Sequence, residues 1–251
     1  MIPQKLLFLY PFITESMKKG LFVTVMMALL STAGVKAQSE ASASIGADLI
    51  SKYIWRGMEL GQVSIQPFAS IDYKGLSFFA SGNIGVSDNM DAEEIDLTLA
   101  YTVKGLSFGI VDYWNNDAEN RYFYYNAHGT AHQFEGFVAY DFGPLKASWQ
   151  TMFAGDDGLN KSGDRAYSSY VELEAPFSLR SFDYTATCGF VPYATTLYET
   201  EGFAVTNLGL KAAKNIPVTD KFSLPVFAQV VGNPCTQRAY LIFGLTLSGN
   251  L

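Results

Sequence analysis

From residue 38 onward, apolar and polar side chains alternate with a period of two, segment after segment, almost to the last residue. That period places successive side chains on opposite faces of an extended strand, whereas the faces of a helix repeat every 3.6 residues. In 63–73 the odd positions are Val63, Ile65, Pro67, Ala69, Ile71 and Tyr73, and the even ones are Ser64, Gln66, Phe68, Ser70 and Asp72. After Lys74-Gly75 the pattern restarts, with Leu76, Phe78, Ala80, Gly82, Ile84 and Val86 alternating against Ser77, Phe79, Ser81, Asn83, Gly85 and Ser87. Two alternating runs joined by two residues describe a tight hairpin. The same grammar returns at 94–103, where Ile95, Leu97, Leu99, Tyr101 and Val103 oppose Glu94, Asp96, Thr98, Ala100 and Thr102 before a second Lys-Gly pair.

Applied to the whole chain, this reading gives strands at 45–56, 63–73, 76–87, 94–103, 106–112, 132–142, 145–154, 167–177, 182–191, 203–213, 222–231 and 239–247. That is twelve strands of roughly ten residues, the length that crosses a bilayer when tilted. Short connections (74–75, 104–105, 143–144, 178–181, 214–221) interleave with longer polar ones (57–62, 88–93, 115–130, 155–166, 192–202, 232–238). An antiparallel up-and-down barrel sorts its connections in this way, one kind at each end, and an even strand number leaves both termini at the short-turn end.

Alternation alone also fits a soluble sandwich. Three features favour a transmembrane β-barrel. Aromatic residues stand near strand ends, as interfacial girdles require: Tyr73, Tyr101, Tyr140 and Phe142 beside tight turns, and Tyr53, Trp55, Tyr113 and Trp114 toward the far ends. An apolar face on all twelve strands overfills a closed soluble core but suits a lipid-facing belt. The opposite face carries Gln133, Gln150, Gln229 and a series of carboxylates, which suits a watery lumen. Charged residues make up 16% of the chain against a usual value of about 25%, and aromatics make up 15%, so a disordered segment is excluded. The balance of 17 Lys and Arg against 24 Asp and Glu argues against nucleic acid as a partner. Two cysteines are too few for a disulfide scaffold, and one apolar run, near the start, rules out a polytopic helical membrane protein.

That run belongs to an address. From Met17 the chain reads Met-Lys-Lys-Gly, then an apolar stretch over 21–30, then small residues up to Ala37. A basic start, a short apolar core and a small-residue exit describe a secretory signal peptide, the other reading being a single anchoring helix. Residues 1–16 look like an over-extended start, so 1–37 is expected to be removed and 38–251 to form one outer-membrane barrel domain in a Gram-negative bacterium. Removing Lys5, Lys18, Lys19, Lys36 and Glu15 from the 17 bases and 24 acids leaves 13 and 23, a net charge of −10.

Ser51-Lys52-Tyr53-Ile54-Trp55-Arg56-Gly57 resembles the first-strand signature of the TorF-like family of bacterial outer-membrane porins, which shows Ser-Asp-Tyr, two residues, then Arg-Gly. The family pattern continues with a proline, an Asp-Tyr before a turn and a Glu-Ile-Asp-Leu strand, matched here by Pro67, Asp72-Tyr73 and Glu94-Ile95-Asp96-Leu97. Lys52 stands where the family has an acid, and the match ends near residue 101. The resemblance implies an outer-membrane barrel and a channel, and fixes no ligand.

Strand phase puts Asp48, Lys52 and Arg56 of the first strand on the lumen side near Asp72 and Asp96. An arginine between carboxylates in a watery tube either sets an ion constriction or ties the lumen across. The expected pore lining is acidic, with Asp48, Asp72, Glu94, Asp96, Glu135, Glu172, Glu174 and Asp183 against Lys52, Arg56 and Lys146, so an open pore for small hydrophilic solutes would prefer cations. The competing view is a plugged barrel with a receptor or structural role. His128 and His132 lie four apart without a completing ligand set, and no serine stands one or two positions from either, so no metal, cofactor or catalytic set is expected, an outer-membrane lipid hydrolase being the runner-up enzyme. Tyr122-Phe123-Tyr124-Tyr125 is either a stacking platform or plug at the mouth, or a strand extended above the membrane. Cys188 and Cys235 either bridge neighbouring strand tops or stay free, Cys188 sharing phase with the lipid-facing Phe182, Tyr184 and Phe190. The last strand, at 240–247, has the amphipathic form read by barrel-assembly machinery, though the chain ends Gly-Asn-Leu and not on an aromatic.

Overall fold

The computed structural model describes residues 41–86, 93–115, 121–126, 129–219 and 222–250, and the signal-peptide expectation falls outside these. Twelve strands close into one antiparallel barrel: β1 (Ala41–Ile50), β4 (Ser64–Tyr73), β5 (Leu76–Gly85), β6 (Glu94–Val103), β7 (Leu106–Asn115), β8 (His132–Asp141), β9 (Lys146–Gly155), β10 (Ser169–Leu179), β11 (Phe182–Val191), β12 (Ala204–Thr219), β13 (Phe222–Asn233) and β14 (Arg238–Asn250). Each pairs with its neighbours in order, and β1 closes the ring by pairing with both β4 and β14. Closure leaves no wall strand with an unpaired edge, which is how an all-β surface avoids edge-to-edge association. The two remaining strands, β2 (Tyr53–Trp55) and β3 (Met58–Gly61), pair only with each other.

The Lys-Gly pairs form the expected tight turns. Lys74-Gly75 and Lys104-Gly105 have φ of 49° and 87°, and of 50° and 85°. Two left-handed residues in succession make a type I′ turn, whose twist matches that of the flanking strands. Ala41 of β1 faces Tyr73 of β4 beside the first of these turns, and Asn250 of β14 faces Ser44, so both ends of the described barrel lie at the short-turn end.

The registers fix the faces. Phe78 faces Ile71 and Leu99, and Phe108 faces Tyr101 and Val138, all exposed on the outer wall. Every wall strand presents at least one large exposed apolar side chain, from Leu49 on β1 through Ile110, Trp149 and Leu210 to Leu241 and Phe243 on β14. Buried groups concentrate inside, in the half of the lumen nearer the long loops. In an eight-stranded barrel side chains alone fill the interior, but a wider one leaves space that a chain segment can enter.

Several strand ends shift by a few residues, β7 running to Asn115 and β1 beginning at Ala41, and two boundaries change the reading. The first strand does not run to Arg56: the wall strand stops at Ile50, and residues 51–63 turn inward, so 57–62 is not an external loop. The expected turn at 214–221 is strand for most of its length, because Lys214–Val226, Asn215–Pro225, Ile216–Leu224 and Pro217–Ser223 continue the ladder beyond the neighbouring turns.

Candidate functional site

The inward segment is a second, smaller hairpin. Trp55 pairs with Met58 and Ile54 with Glu59, and the turn residues Arg56 and Gly57 have φ of 51° and 85°, the geometry of the Lys-Gly turns repeated inside the barrel. A Cβ on Gly57 would lie 1.8 Å from the Thr206 carbonyl oxygen, so the turn seats against the wall only because that position has no side chain. Asn233 Nδ2 donates to the Gly57 carbonyl at 3.1 Å and holds the tip from β13. One flank, Ile54, packs on Val231, Tyr240 and Ile242, while Trp55 and Met58 pack with Leu197 on Tyr170, Val191 and Tyr198.

At the tip the Arg56 guanidinium grips the opposite wall. Nη1 donates to Glu135 Oε1 at 2.6 Å and Nη2 to Oε2 at 2.7 Å, the parallel two-bond geometry that suits a guanidinium to a carboxylate. Nη1 also donates to the Tyr198 hydroxyl at 2.5 Å, and the guanidinium lies 4.4 Å from the Trp55 ring and 4.8 Å from that of Tyr170. Tyr113 completes the carboxylate's shell by donating to Glu135 Oε2 at 2.9 Å. The two charged side chains are 10% and 1% exposed, so the pair is enclosed and not a solvated rim contact. Burial pushes the Tyr198 hydroxyl up to about 12 against the pull of Arg56, so near neutrality it stays protonated and accepts from the guanidinium. The β8–β9 register slips between Phe134 and Glu135, where β9 carries Phe153 as an extra residue, while β8 alternates without a break against β7 and so points Glu135 inward.

Lys52 lies beside Glu59 and Gln62 at the hairpin base, and Tyr53 donates to Glu94. Neither Lys52 nor Arg56 is on the wall strand, and the carboxylates facing them are Glu59 and Glu135, not Asp72 and Asp96 as strand phase predicts. A phase count fails there because the chain leaves the wall at Ser51. Glu172 accepts from Tyr170 at 2.6 Å and from Asn207 at 3.2 Å just beyond the arginine. Asp96 accepts from Ser81 at 3.5 Å, and its Oδ1 is buried without a partner among the described residues. The other candidates sit further along the lumen: Asp48 accepts from Thr246 at 2.5 Å, Asp72 from Ser70 at 3.3 Å, Glu174 pairs with Lys146 at 3.4 Å, and Asp183 accepts from Ser178 at 2.7 Å. Thus Lys52, Arg56, Glu135, Glu94, Asp96 and Glu172 come together at or near the hairpin, while Asp48, Asp72, Glu174 and Asp183 do not.

Sequence reasoning missed Tyr170, Tyr198, Asn207 and Asn233, and it read Tyr53, Trp55 and Tyr113 as interfacial girdle residues, whereas Tyr53 donates to Glu94, Tyr113 to Glu135, and Trp55 packs on Tyr170 and Tyr198 inside the barrel. Tyr113 and Tyr170 carry a signal, a large aromatic in lumen phase, but Tyr198 belongs to an irregular loop and carries none. Lys211 was missed too, its Nζ 4.1 Å from the Phe227 ring on the lumen side of β12 and β13.

On the outer wall, buried His132 holds Asp112 Oδ1 through Nδ1 at 2.7 Å and meets the Tyr122 carbonyl through Nε2 at 2.5 Å. Tyr125 stacks on the imidazole at 4.2 Å, and Tyr122 sits edge-on to Trp114 at 5.3 Å. The aromatic run is therefore neither a platform in the mouth nor a strand extension; it covers the tops of β7 and β8 from outside. His132 meets a carbonyl where a hydrolase would present a serine, and His128 lies outside the described residues. Cys188 and Cys235 are free thiols, Cys188 paired in register with the outward-facing Leu208 and Leu173.

No protein-family model and no curated protein matches the chain. Among solved structures it is similar to an outer membrane channel from Pseudomonas putida F1, at 11% identity over 84% of this chain and 94% of that one, with a TM-score of 0.42. It is also similar to OmpF of Salmonella typhi in complex with daunomycin, at 9% identity over 83% of this chain and 97% of that one, with a TM-score of 0.34.

Proposed function

We propose that the chain is an outer-membrane β-barrel channel of a Gram-negative bacterium whose lumen is gated by the β2–β3 hairpin, and that it passes small hydrophilic solutes with a preference for cations when the hairpin is displaced. The observation that carries this reading is the enclosed Arg56–Glu135 tie, which holds a separate chain segment across the lumen. An apolar outer wall on every strand supports the lipid bilayer as the barrel's surroundings, and the amphipathic last strand suits delivery by barrel-assembly machinery. Away from the tie, the lumen carries Asp48, Asp72, Glu174 and Asp183 against Lys146 and Lys211, an acidic balance that favours cations. The residues that resemble the TorF-like signature, Tyr53, Arg56 and Gly57, are those that build the hairpin.

The test is conductance in planar bilayers. Ile50 of β1 faces Ser64 of β4, so residues 51–63 can be replaced by a short Gly-Ser turn without altering the wall. The native protein should give small or infrequent steps and the excised variant stable, larger ones, with reversal potentials on the cation side. Silence from both would refute the channel, and anion preference would refute the cation preference. Silence from the native protein alone under every condition would favour a permanently plugged barrel with a receptor or structural role, a reading to which the depth of the arginine's burial lends support.

A further inference from the structure

Beyond the hairpin, at the long-loop end, lies a cavity of about 330 Å³, the lower end of the range for small-molecule pockets. The hairpin forms its floor, and its sides are the ends of β7 and β8 together with the loops that follow β11 and β13. Two of its carboxylates are already engaged, Glu59 by Lys52 and Glu94 by Tyr53. Among the described residues, the polar side chains that remain without a hydrogen bond or ion pair include Asn115, Gln133, Thr236, Glu199 and Arg238, and Thr236 Oγ1 is buried without a partner.

We propose that this cavity is a binding site for a neutral mono- or disaccharide. Among the groups left free, one carboxylate and one guanidinium balance, so they ask for no net charge in the ligand; Glu94 is satisfied by the Tyr53 hydroxyl and not by a cation, which disfavours an anion. Two amides and a hydroxyl each donate and accept, as vicinal hydroxyl groups require. Tyr53, Tyr113 and Tyr240 add aromatic surface against which the apolar face of a sugar ring lies. The volume suits one or two sugar rings. The site does not depend on conductance, since it is built with the hairpin in place.

Calorimetric titration of the full-length protein in detergent with maltose and with sucrose tests this, with glycine and lysine as zwitterionic and cationic controls. At least one of the two sugars should saturate the protein at millimolar concentration and change the emission of Trp55, which lies in the floor. Asn115→Ala with Gln133→Ala should weaken binding at least tenfold, while Ser148→Ala at a distant lumen position should leave it unchanged. Circular dichroism establishes that each variant folds, and Thr236→Val replaces the double variant if that one does not. Absence of binding by both sugars, binding of glycine or lysine in their place, or unchanged affinity in the folded variants would overturn the proposal.

Discussion

If the Arg56–Glu135 pair is what keeps the hairpin in the lumen, Glu135→Gln should release it. Glutamine matches the volume and keeps one carbonyl oxygen for the guanidinium. It also turns an amide NH₂ toward either Arg56 or the Tyr113 hydroxyl, each of which now donates to the carboxylate. One two-bond contact becomes at most one neutral bond, and the guanidinium stays enclosed without its countercharge. Removing one member of a buried pair costs about 3–5 kcal/mol. The retained acceptor and the Trp55 and Tyr170 rings put this case at the lower end, and about 3 kcal/mol is roughly a hundredfold change in the docking equilibrium. The wall strands do not depend on the pair, so the barrel should stay closed.

Trypsin reads that equilibrium directly, because Arg56 precedes Gly57 at the hairpin tip and its peptide bond is accessible only when the hairpin has left the lumen. Where reclosing is fast relative to cleavage, the rate follows the open population. The fragment beginning at Gly57 should appear roughly a hundredfold faster from Glu135→Gln than from the native protein, with cleavage at the exposed Lys161 as an internal standard. Equal rates at the hairpin bond, with the standard unchanged, would mean that apolar packing by Ile54, Trp55 and Met58 holds the hairpin and that the ion pair is incidental.

Gly57→Ala brings a Cβ against the Thr206 carbonyl and forces alanine to a φ of +85°, so its conductance should match that of the variant lacking residues 51–63; native-like conductance would show that the seat is not tight. Ile110→Lys, on the outer wall near the middle of β7, should cost about 2–4 kcal/mol in urea-refolding titrations into vesicles, against little for Ser148→Lys on the lumen side. Equal costs would refute the assignment of faces. Mass spectrometry should find the same mass with and without reductant, and a membrane-impermeant maleimide should label the exposed Cys235 in reconstituted vesicles while sparing Cys188. A mass gain of two hydrogens on reduction would refute free thiols.

The barrel was legible because its determinants are local. Each wall strand declares its faces by a period of two, and each Lys-Gly turn fixes its hairpin within a few residues, so twelve strands and their order follow from short stretches of chain. The hairpin inside the lumen was written in the same grammar: Arg56-Gly57 is a base followed by glycine between Tyr53-Ile54-Trp55 and Met58-Glu59-Leu60, as Lys74-Gly75 and Lys104-Gly105 are between theirs, and it adopts the same left-handed pair of φ angles. Read consistently, it marks a turn at 56–57 and not the end of a long first strand. What no local rule supplies is the direction in which that hairpin goes. Its place depends on Glu135, Tyr198 and Asn233, 79, 142 and 176 residues from their partners in the hairpin turn, brought together only when the ring of strands closes. The Arg56–Glu135 tie is thus a consequence of closure, and it can form only after β8, the loop after β11 and β13 have taken their places around the lumen. The hairpin's burial is therefore expected to be a late step of assembly, with the wall already complete before the hairpin is set.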